Sequence, residues 1–114
     1  MRGLALNPRL KTADAKFIHE AQTSPCYRLW SIGDEYPAMV RSSIKGGTIE
    51  LEIWQIDSEA LLQILSNEPP GLCLGKIELS NGEVVLGILA EPYICKGKKD
   101  ITASGGWRAY IALK

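Results

Sequence analysis

The chain has 114 residues, a length that fits one domain and can bury roughly two-thirds of the surface of its unfolded chain. Thirteen basic and thirteen acidic side chains give a formal net charge of zero, which argues against binding to nucleic acid or to an anionic membrane. No apolar run approaches the roughly 20 residues of a membrane-spanning helix, and the first residues do not resemble a secretory signal.

The start of the chain predicts a short helix and then a strand. Asn7 followed by Pro8 is typical of a helix start, because Asn caps the helix and Pro fits its first position, so a helix is predicted over residues 8–13. Apolar residues alternate over residues 15–22, which is the period of a strand, and this places His19 at the core or at its rim.

The middle of the chain predicts further strands and one main helix. The strands are predicted over residues 27–32, 38–42 and 48–56. In the last of them the apolar residues move from odd-numbered to even-numbered positions at Trp54. This change predicts either a bulge or burial on both faces. Asp57 is predicted to cap a helix over residues 58–65, and this helix must end before Pro69.

A hairpin is predicted next, with strands over residues 73–79 and 83–90. The Asn-Gly pair at residues 81–82 between them is typical of a two-residue type I′ turn. Several short strands with one helix, and without repeated βα units, predict a small α+β fold with a mainly antiparallel sheet or barrel. We expect a single domain over residues 1–114.

The closing stretch, residues 101–110, is the most informative part of the sequence. Gly105 and Gly106 allow backbone conformations or close approaches that a side chain would forbid. We predict a tight turn that leads into a terminal strand, with Trp107 and Arg108 on opposite faces. Two interpretations stay open. The strand closes the sheet, or it is a pocket wall that presents the glycine amides and Arg108 to a small anion.

Few residues are suited to catalysis. A single histidine without a Gly-x-Ser-x-Gly sequence argues against a serine hydrolase, and no phosphate-binding glycine motif is present, so no cofactor is expected. Cys26, Cys73 and Cys95 are odd in number and widely spaced, a pattern that favours neither a metal site nor disulfides. We therefore expect reduced, mostly buried thiols and a cytoplasmic protein.

Two carboxylates and one further arginine remain as candidates. Glu68 lies between a helix end and a Pro-Pro-Gly loop, which would fix its orientation and suit a general acid or base; a solvated loop residue is the alternative. Glu91 follows an apolar strand, where it could serve catalysis or form an ion pair with Arg41 or Arg108. Arg41 ends a short strand and faces either a ligand or solvent.

Short motifs follow one another along nearly the whole chain. They lie at residues 2–7, 27–30, 37–41, 47–54, 71–75 and 100–110. The last one, which contains Ile-Thr-Ala-Ser-Gly-Gly-Trp-Arg-Ala-Tyr, is the specific one. Together they resemble the C-terminal domain of allophanate hydrolases and its free-standing relatives in the gamma-glutamylcyclotransferase-like superfamily.

This resemblance implies a small mixed, mostly antiparallel β-barrel with one main side helix and a pocket at one barrel mouth. Superfamily enzymes use a glutamate to move a proton while an α-amine attacks a side-chain amide, and Glu68 occupies a comparable place after the helix. Allophanate hydrolases usually carry an apolar residue there. Their C-terminal domain is credited with decarboxylating the product of a separate amidase domain.

Two alternative functions follow from the resemblance. The first is a gamma-glutamylcyclotransferase-like enzyme that acts on a small amide- or carboxylate-bearing metabolite, with Glu68 as the general acid or base. Its ligand-binding residues would be Gly33, Arg41, Glu91, Gly105, Gly106, Trp107 and Arg108. The second is a non-catalytic ligand-binding or assembly module that acts alongside a separate amidase.

The resemblance also bears on assembly. Family members normally begin with a strand before the region that corresponds to residues 2–7, whereas this sequence starts within that region. We therefore expect that the usual first strand is lacking, that a sheet edge is open, and that the protein forms a homodimer.

Overall fold

A computed structural model describes residues 16–113. The strands are β1 (Lys16–Gln22), β2 (Tyr27–Ile32), β3 (Tyr36–Arg41), β4 (Glu50–Gln55), β5 (Leu72–Glu78), β6 (Val84–Ala90) and β7 (Lys99–Asp100). The helices are α1 (Ser58–Ser66) and α2 (Trp107–Ala112), with short 3-10 helices at Pro92–Cys95 and Thr102–Ser104. The helix predicted over residues 8–13 lies outside the described residues.

The strands of the described residues form antiparallel sheets, namely β1 with β4, β5 with β6, and the three-stranded sheet β3–β2–β7. Single bridges join these sheets, from Thr23 to Leu79 and from Tyr27 to Gly47. The predicted α+β fold, mostly antiparallel and with one main helix, is confirmed. Within residues 16–113 the sheets do not close into a barrel. No helix in this range has the length and apolar character to span a membrane.

The change of parity in β4 coincides with a bulge in the paired strand β1. Phe17 pairs with Trp54, and His19 pairs with Ile53, so Ile18 is the extra residue. The bulge of this ladder therefore lies in β1 and not in β4, where the change at Trp54 predicts it. His19 is exposed, so it lies at the rim and not in the core.

α1 begins as predicted. The Ala60 amide donates a hydrogen bond of 2.8 Å to Oδ1 of Asp57, the N-cap residue. Ile64 is the buried side chain of this helix. Since Pro69 cannot continue a helix, the chain leaves it just before Glu68, which places that carboxylate on a short, stiff loop.

The hairpin loop between β5 and β6 differs from the prediction. The Leu79 amide donates to the Glu83 carbonyl at 2.8 Å, so the loop has three residues, Ser80, Asn81 and Gly82. Of these three, Gly82 alone has a positive φ, +91°, whereas a type I′ turn requires two such residues. The type I′ prediction is therefore wrong, and the loop is closed by a glycine in the left-handed region.

The larger core cluster collects side chains from several sheets and from the closing segment. It contains Tyr27, Leu29, Met39, Ile49, Leu51, Ile77, Leu79, Ile101, Trp107 and Tyr110. A smaller cluster of Ala38, Ala90 and Cys95 lies between β3 and β6. α2 contributes the rings of Trp107 and Tyr110 to the main core. The backbone of its exposed face, which carries Arg108, is therefore held at a fixed position.

The cysteines are free thiols of different exposure. Cys95 is buried, while Cys26 and Cys73 are partly exposed, so burial is found for one of the three. Burial, and to a lesser degree the charge of Asp100, raises the pKa of the Cys95 thiol. A protonated, buried thiol is a poor nucleophile, so the environment of Cys95 does not suit catalysis.

Candidate functional site

The end of the chain is a helix, and the predicted terminal strand is wrong. Gly105 has a φ of +83°, ends the preceding 3-10 helix and redirects the chain into α2. Trp107 and Tyr110, three residues apart, then share the buried face of the helix, and Arg108 lies on the exposed side. The spacing of the two aromatic residues is therefore helical, and tertiary packing overrides the alternation seen in the sequence.

The glycine pair lies against the first residue of β4. The Glu50 amide donates to the Gly105 carbonyl at 2.8 Å, and the Gly105 amide donates to the Thr102 carbonyl at 3.1 Å. A Cβ atom on Gly106 would lie 3.4 Å from Cβ of Glu50. These contacts favour the structural interpretation of the glycine pair, which brings two backbone segments close together.

Arg108 contacts a buried carboxylate that the sequence did not reveal. An Nη2 atom of Arg108 lies 3.5 Å from Oε2 of Glu52, whose side chain is 8% exposed. Nε1 of Trp54 donates to Oε1 of Glu52 at 3.3 Å. In the sequence, Glu52 alternates with apolar residues and therefore looks like a solvent-facing strand position. In the structure this side chain meets Arg108 of the closing segment.

A mostly apolar groove of about 410 Å³ runs between β4 and β6. Its lining residues are Leu51, Glu52, Ile53, Trp54, Gln55, Ile56, Leu61, Ile77, Val85, Leu86 and Gly87. We call it the β4–β6 groove. It combines apolar walls with the Glu52 carboxylate, a composition typical of small-molecule sites.

A second groove, of about 620 Å³, lies on the other side of the closing segment and is called the Tyr110 groove. The Tyr110 hydroxyl donates to Oδ1 of Asp34 at 2.7 Å, and the Ser31 hydroxyl donates to the same oxygen at 2.6 Å. Gly33 and Asp34 both have positive φ, +61° and +59°. Gly33 therefore shapes the turn that carries Asp34 to this groove. The Lys99 ammonium lies 5.2 Å from the centre of the Tyr110 ring.

Asp100, also in the Tyr110 groove, is held by several donors. The Thr102 amide donates to Oδ1 at 2.9 Å, and Nε of Arg28 donates to Oδ2 at 3.0 Å. Burial alone raises the pKa of Asp100, but the hydrogen bonds from Thr102 and Arg28 and the positive charge of Arg28 together lower it. This network joins β7 to β2, so it supports the whole closing segment.

The Asp100→Asn substitution is expected to lower the free energy of unfolding by about 1 kcal/mol at neutral pH. Since the folded-state pKa is below the unfolded value of about 3.9, the stabilisation is present above that pH and is lost as the pH falls through the folded pKa. Urea unfolding of both proteins at pH 7 and near pH 3 checks this. A difference that stays constant with pH would contradict it.

The structure places the predicted ligand-binding residues in separate regions. Arg41 lies 3.7 Å from Glu78 and over the Tyr27 ring, and Arg108 contacts Glu52, so the expected ion pair of either arginine with Glu91 is wrong. Ion-pair partners far apart in sequence are chosen by tertiary packing, which the residue pattern does not encode.

The remaining predicted residues divide between the closing segment and the Gly71 loop. Trp107 is buried in the core and therefore acts in packing. Glu91 is exposed, and its amide donates to the Gly71 carbonyl at 2.7 Å. Glu68 precedes the same loop, and its Oε1 atom is buried. Glu68 is not among the lining residues of the two grooves. Within residues 16–113 no group of His, Cys, Asp and Glu is placed to hold a metal.

These features define a small α+β domain of antiparallel sheets with one side helix, closed by a short aromatic helix that contacts β4. The chain belongs to the family of the allophanate hydrolase C-terminal domain, whose family model matches residues 1–112.

Two urea amidolyases related to this chain are much larger proteins. The chain is 31% identical to the urea amidolyase of Saccharomyces cerevisiae and 30% identical to that of Lachancea kluyveri. These alignments cover 99% and 97% of this chain but 6% of each amidolyase. The chain therefore spans a small part of the length of these relatives.

Solved structures share the fold over the whole chain. A uropathogenic E. coli-specific protein is 43% identical with a TM-score of 0.92, and the match covers 100% of this chain and 90% of that one. Kluyveromyces lactis allophanate hydrolase is 27% identical with a TM-score of 0.86, over 95% of this chain and 19% of that one.

Proposed function

We propose that this domain binds and converts a small amide- or carboxylate-bearing metabolite, with Glu68 as the general acid or base. The observation that carries the proposal is the buried Oε1 atom of Glu68 on a loop stiffened by Pro69 and Pro70. Proton transfer to a substrate requires a carboxylate with a fixed position and restricted access to water, and this loop offers both.

The β4–β6 groove supports a compact substrate. Its volume of about 410 Å³ lies at the small end of the usual range of roughly 300–1,000 Å³ for ligand pockets. Arg108 is not among the lining residues of this groove, but it contacts Glu52, which is, and its partly exposed guanidinium has further N–H donors for a substrate carboxylate. Leu61 of α1 lines this groove and Glu68 lies beyond the far end of the same helix, so a substrate must extend out of the groove to reach the Glu68 carboxylate.

The relatives suggest the setting of this chemistry. Similar domains occur within urea amidolyases and an allophanate hydrolase. We propose that the domain acts alongside an amidase and takes a compact N-carboxylated or amide-bearing compound of the kind that such an enzyme handles.

The Glu68→Gln substitution tests the catalytic role. Turnover is assayed as release of 5-oxoproline from a gamma-glutamyl amide and as release of carbon dioxide from an N-carboxylated amide. Loss of the proton-transfer group is expected to lower kcat at least about 100-fold without a change in melting temperature. Glu59→Gln, an exposed change on the same helix, is the matched control and should keep full activity.

Two outcomes would overturn parts of this proposal. If Glu68→Gln retains full turnover while Glu52→Gln loses it, the acid or base is the buried groove carboxylate. If the unmodified protein converts neither compound but binds one of them in calorimetry, the domain is the non-catalytic module.

A further inference from the structure

The loop of the β5–β6 hairpin carries an Asn-Gly pair, Asn81 and Gly82, on the surface of the protein. Both residues are exposed, as are Ser80 before them and Glu83 after them. Asparagine is thermolabile, because the backbone nitrogen of the next residue can attack its side-chain amide. A glycine in that next position has no side chain to shield the nitrogen. A Cβ atom on Gly82 would meet no atom within 4 Å, so the folded loop does not crowd this position either.

Hydrogen bonds hold both reacting groups of this pair in the folded loop. The Gly82 amide donates to the Leu79 carbonyl at 3.0 Å. The Asn81 side chain is held at both of its polar atoms, since Nδ2 donates to Oε1 of Glu83 at 2.8 Å and Oδ1 accepts from the Glu83 amide at 2.9 Å. Attack requires the Gly82 amide to lose its proton and the Asn81 side chain to turn toward the nitrogen. The loop must therefore open before the pair can react.

We propose that Asn81 is a deamidation site of the folded protein and that Glu83 sets the rate by holding the loop closed. The Gly82 nitrogen loses its proton to water and forms a bond to the side-chain carbon of Asn81. The bond from this carbon to Nδ2 breaks, and the nitrogen takes up a proton and leaves as ammonia. Water then adds to either carbonyl carbon of the resulting succinimide ring and breaks its bond to the Gly82 nitrogen. The product is an aspartate or an isoaspartate at residue 81, and no oxidant or reductant takes part.

Either product disturbs the loop in which it forms. An aspartate has an oxygen where Nδ2 of Asn81 donated to Glu83, so two carboxylates then face each other and repel. An isoaspartate adds a carbon atom to the main chain of the loop. The hydrogen bond of 2.8 Å from the Leu79 amide to the Glu83 carbonyl then no longer matches the loop length. The modified protein is therefore expected to melt at a lower temperature than the parent protein.

Incubation at mildly alkaline pH, followed by peptide mass spectrometry and an isoaspartate assay, tests the proposal. The same incubation in guanidinium chloride gives the rate of each unfolded chain. Deamidation at Asn81 is expected to be about 10- to 100-fold slower in the folded protein, because exposed loops open at a low cost in free energy. Glu83→Ala removes the acceptor of Nδ2 and should raise the folded-state rate about fivefold, whereas Glu83→Gln keeps an acceptor oxygen and should change it less than about twofold. Asn67, which is exposed and precedes Glu68, is the internal control and should stay unmodified.

Each other result overturns a stated part. Equal rates in the folded and unfolded chains would show that the loop hydrogen bonds do not protect Asn81. If residue 81 of the folded protein shows no product after about ten half-lives of the unfolded chain, the closed loop does not open and is not a modification site. A Glu83→Ala rate equal to that of the parent protein would mean that Glu83 does not control the loop. Conversion of Asn67 as fast as that of Asn81 would mean that the Asn-Gly pair is not the preferred site. Melting temperatures confirm that both variants fold.

Discussion

Replacement of Trp107 by alanine is expected to lower the free energy of unfolding by about 3–5 kcal/mol. The indole is 3% exposed, belongs to the main core cluster, and lies 5.8 Å from the Tyr110 ring between ring centres. A helix of six residues has little stability of its own, so α2 depends on these two buried rings. Urea unfolding followed by far-ultraviolet circular dichroism measures the loss.

The control for this prediction also decides between a helix and a strand. In a strand Ala109 would share the buried face of Trp107, whereas in α2 it is exposed. Ala109→Glu should therefore change the free energy of unfolding by less than about 0.5 kcal/mol. A loss as large as that of Trp107→Ala would contradict the helix.

The elements that the sequence predicts well are those with local causes. β2 has the predicted bounds, residues 27–32, because its branched and aromatic residues favour an extended backbone. Asp57 caps α1 as predicted, since the cap bond joins residues three apart. Proline after the helix limits its end in the same local way.

The elements that the sequence does not predict depend on contacts between distant residues. The closing segment is too short for its pattern to decide between two structures. The spacing of Trp107, Arg108 and Tyr110 fits both the period of a strand and that of a helix. The helix is favoured because Tyr110 can then reach Asp34 while Trp107 stays in the core.

The candidate site shows the same division. The fixed loop of Glu68 follows from its neighbours in sequence, so it could be anticipated. The contact of Glu52 with Arg108 requires the closing segment to reach β4, and the pairing of Arg41 with Glu78 requires the hairpin to lie beside β3. A single sequence contains no signal for either contact.

Replacement of Gly46 by alanine is expected to lower the free energy of unfolding by about 3 kcal/mol, because the added Cβ atom would clash with backbone atoms. The positive φ of this loop belongs to Lys45, +56°, so the backbone conformation is not what requires glycine at position 46. A Cβ atom on Gly46 would lie 2.8 Å from Cα of Cys26 and 3.0 Å from the Pro25 carbonyl oxygen. Both are backbone atoms and cannot rotate away, so two chain segments would have to separate.

Gly47→Ala is the matched control for this clash. Its Cβ would meet one side-chain atom, Cγ2 of Thr102, at 3.0 Å, and a small movement of that methyl group relieves the contact. We expect a loss of less than about 1 kcal/mol in urea unfolding.

The backbone hydrogen bonds between Tyr27 and Gly47, of 2.7 and 3.4 Å, lie next to the clash at Gly46. Faster hydrogen exchange of the Gly47 amide in Gly46→Ala would show that the two segments have separated. Equal stability of the two variants would mean that the Cys26 backbone yields, and that Gly46 is not required for this close approach.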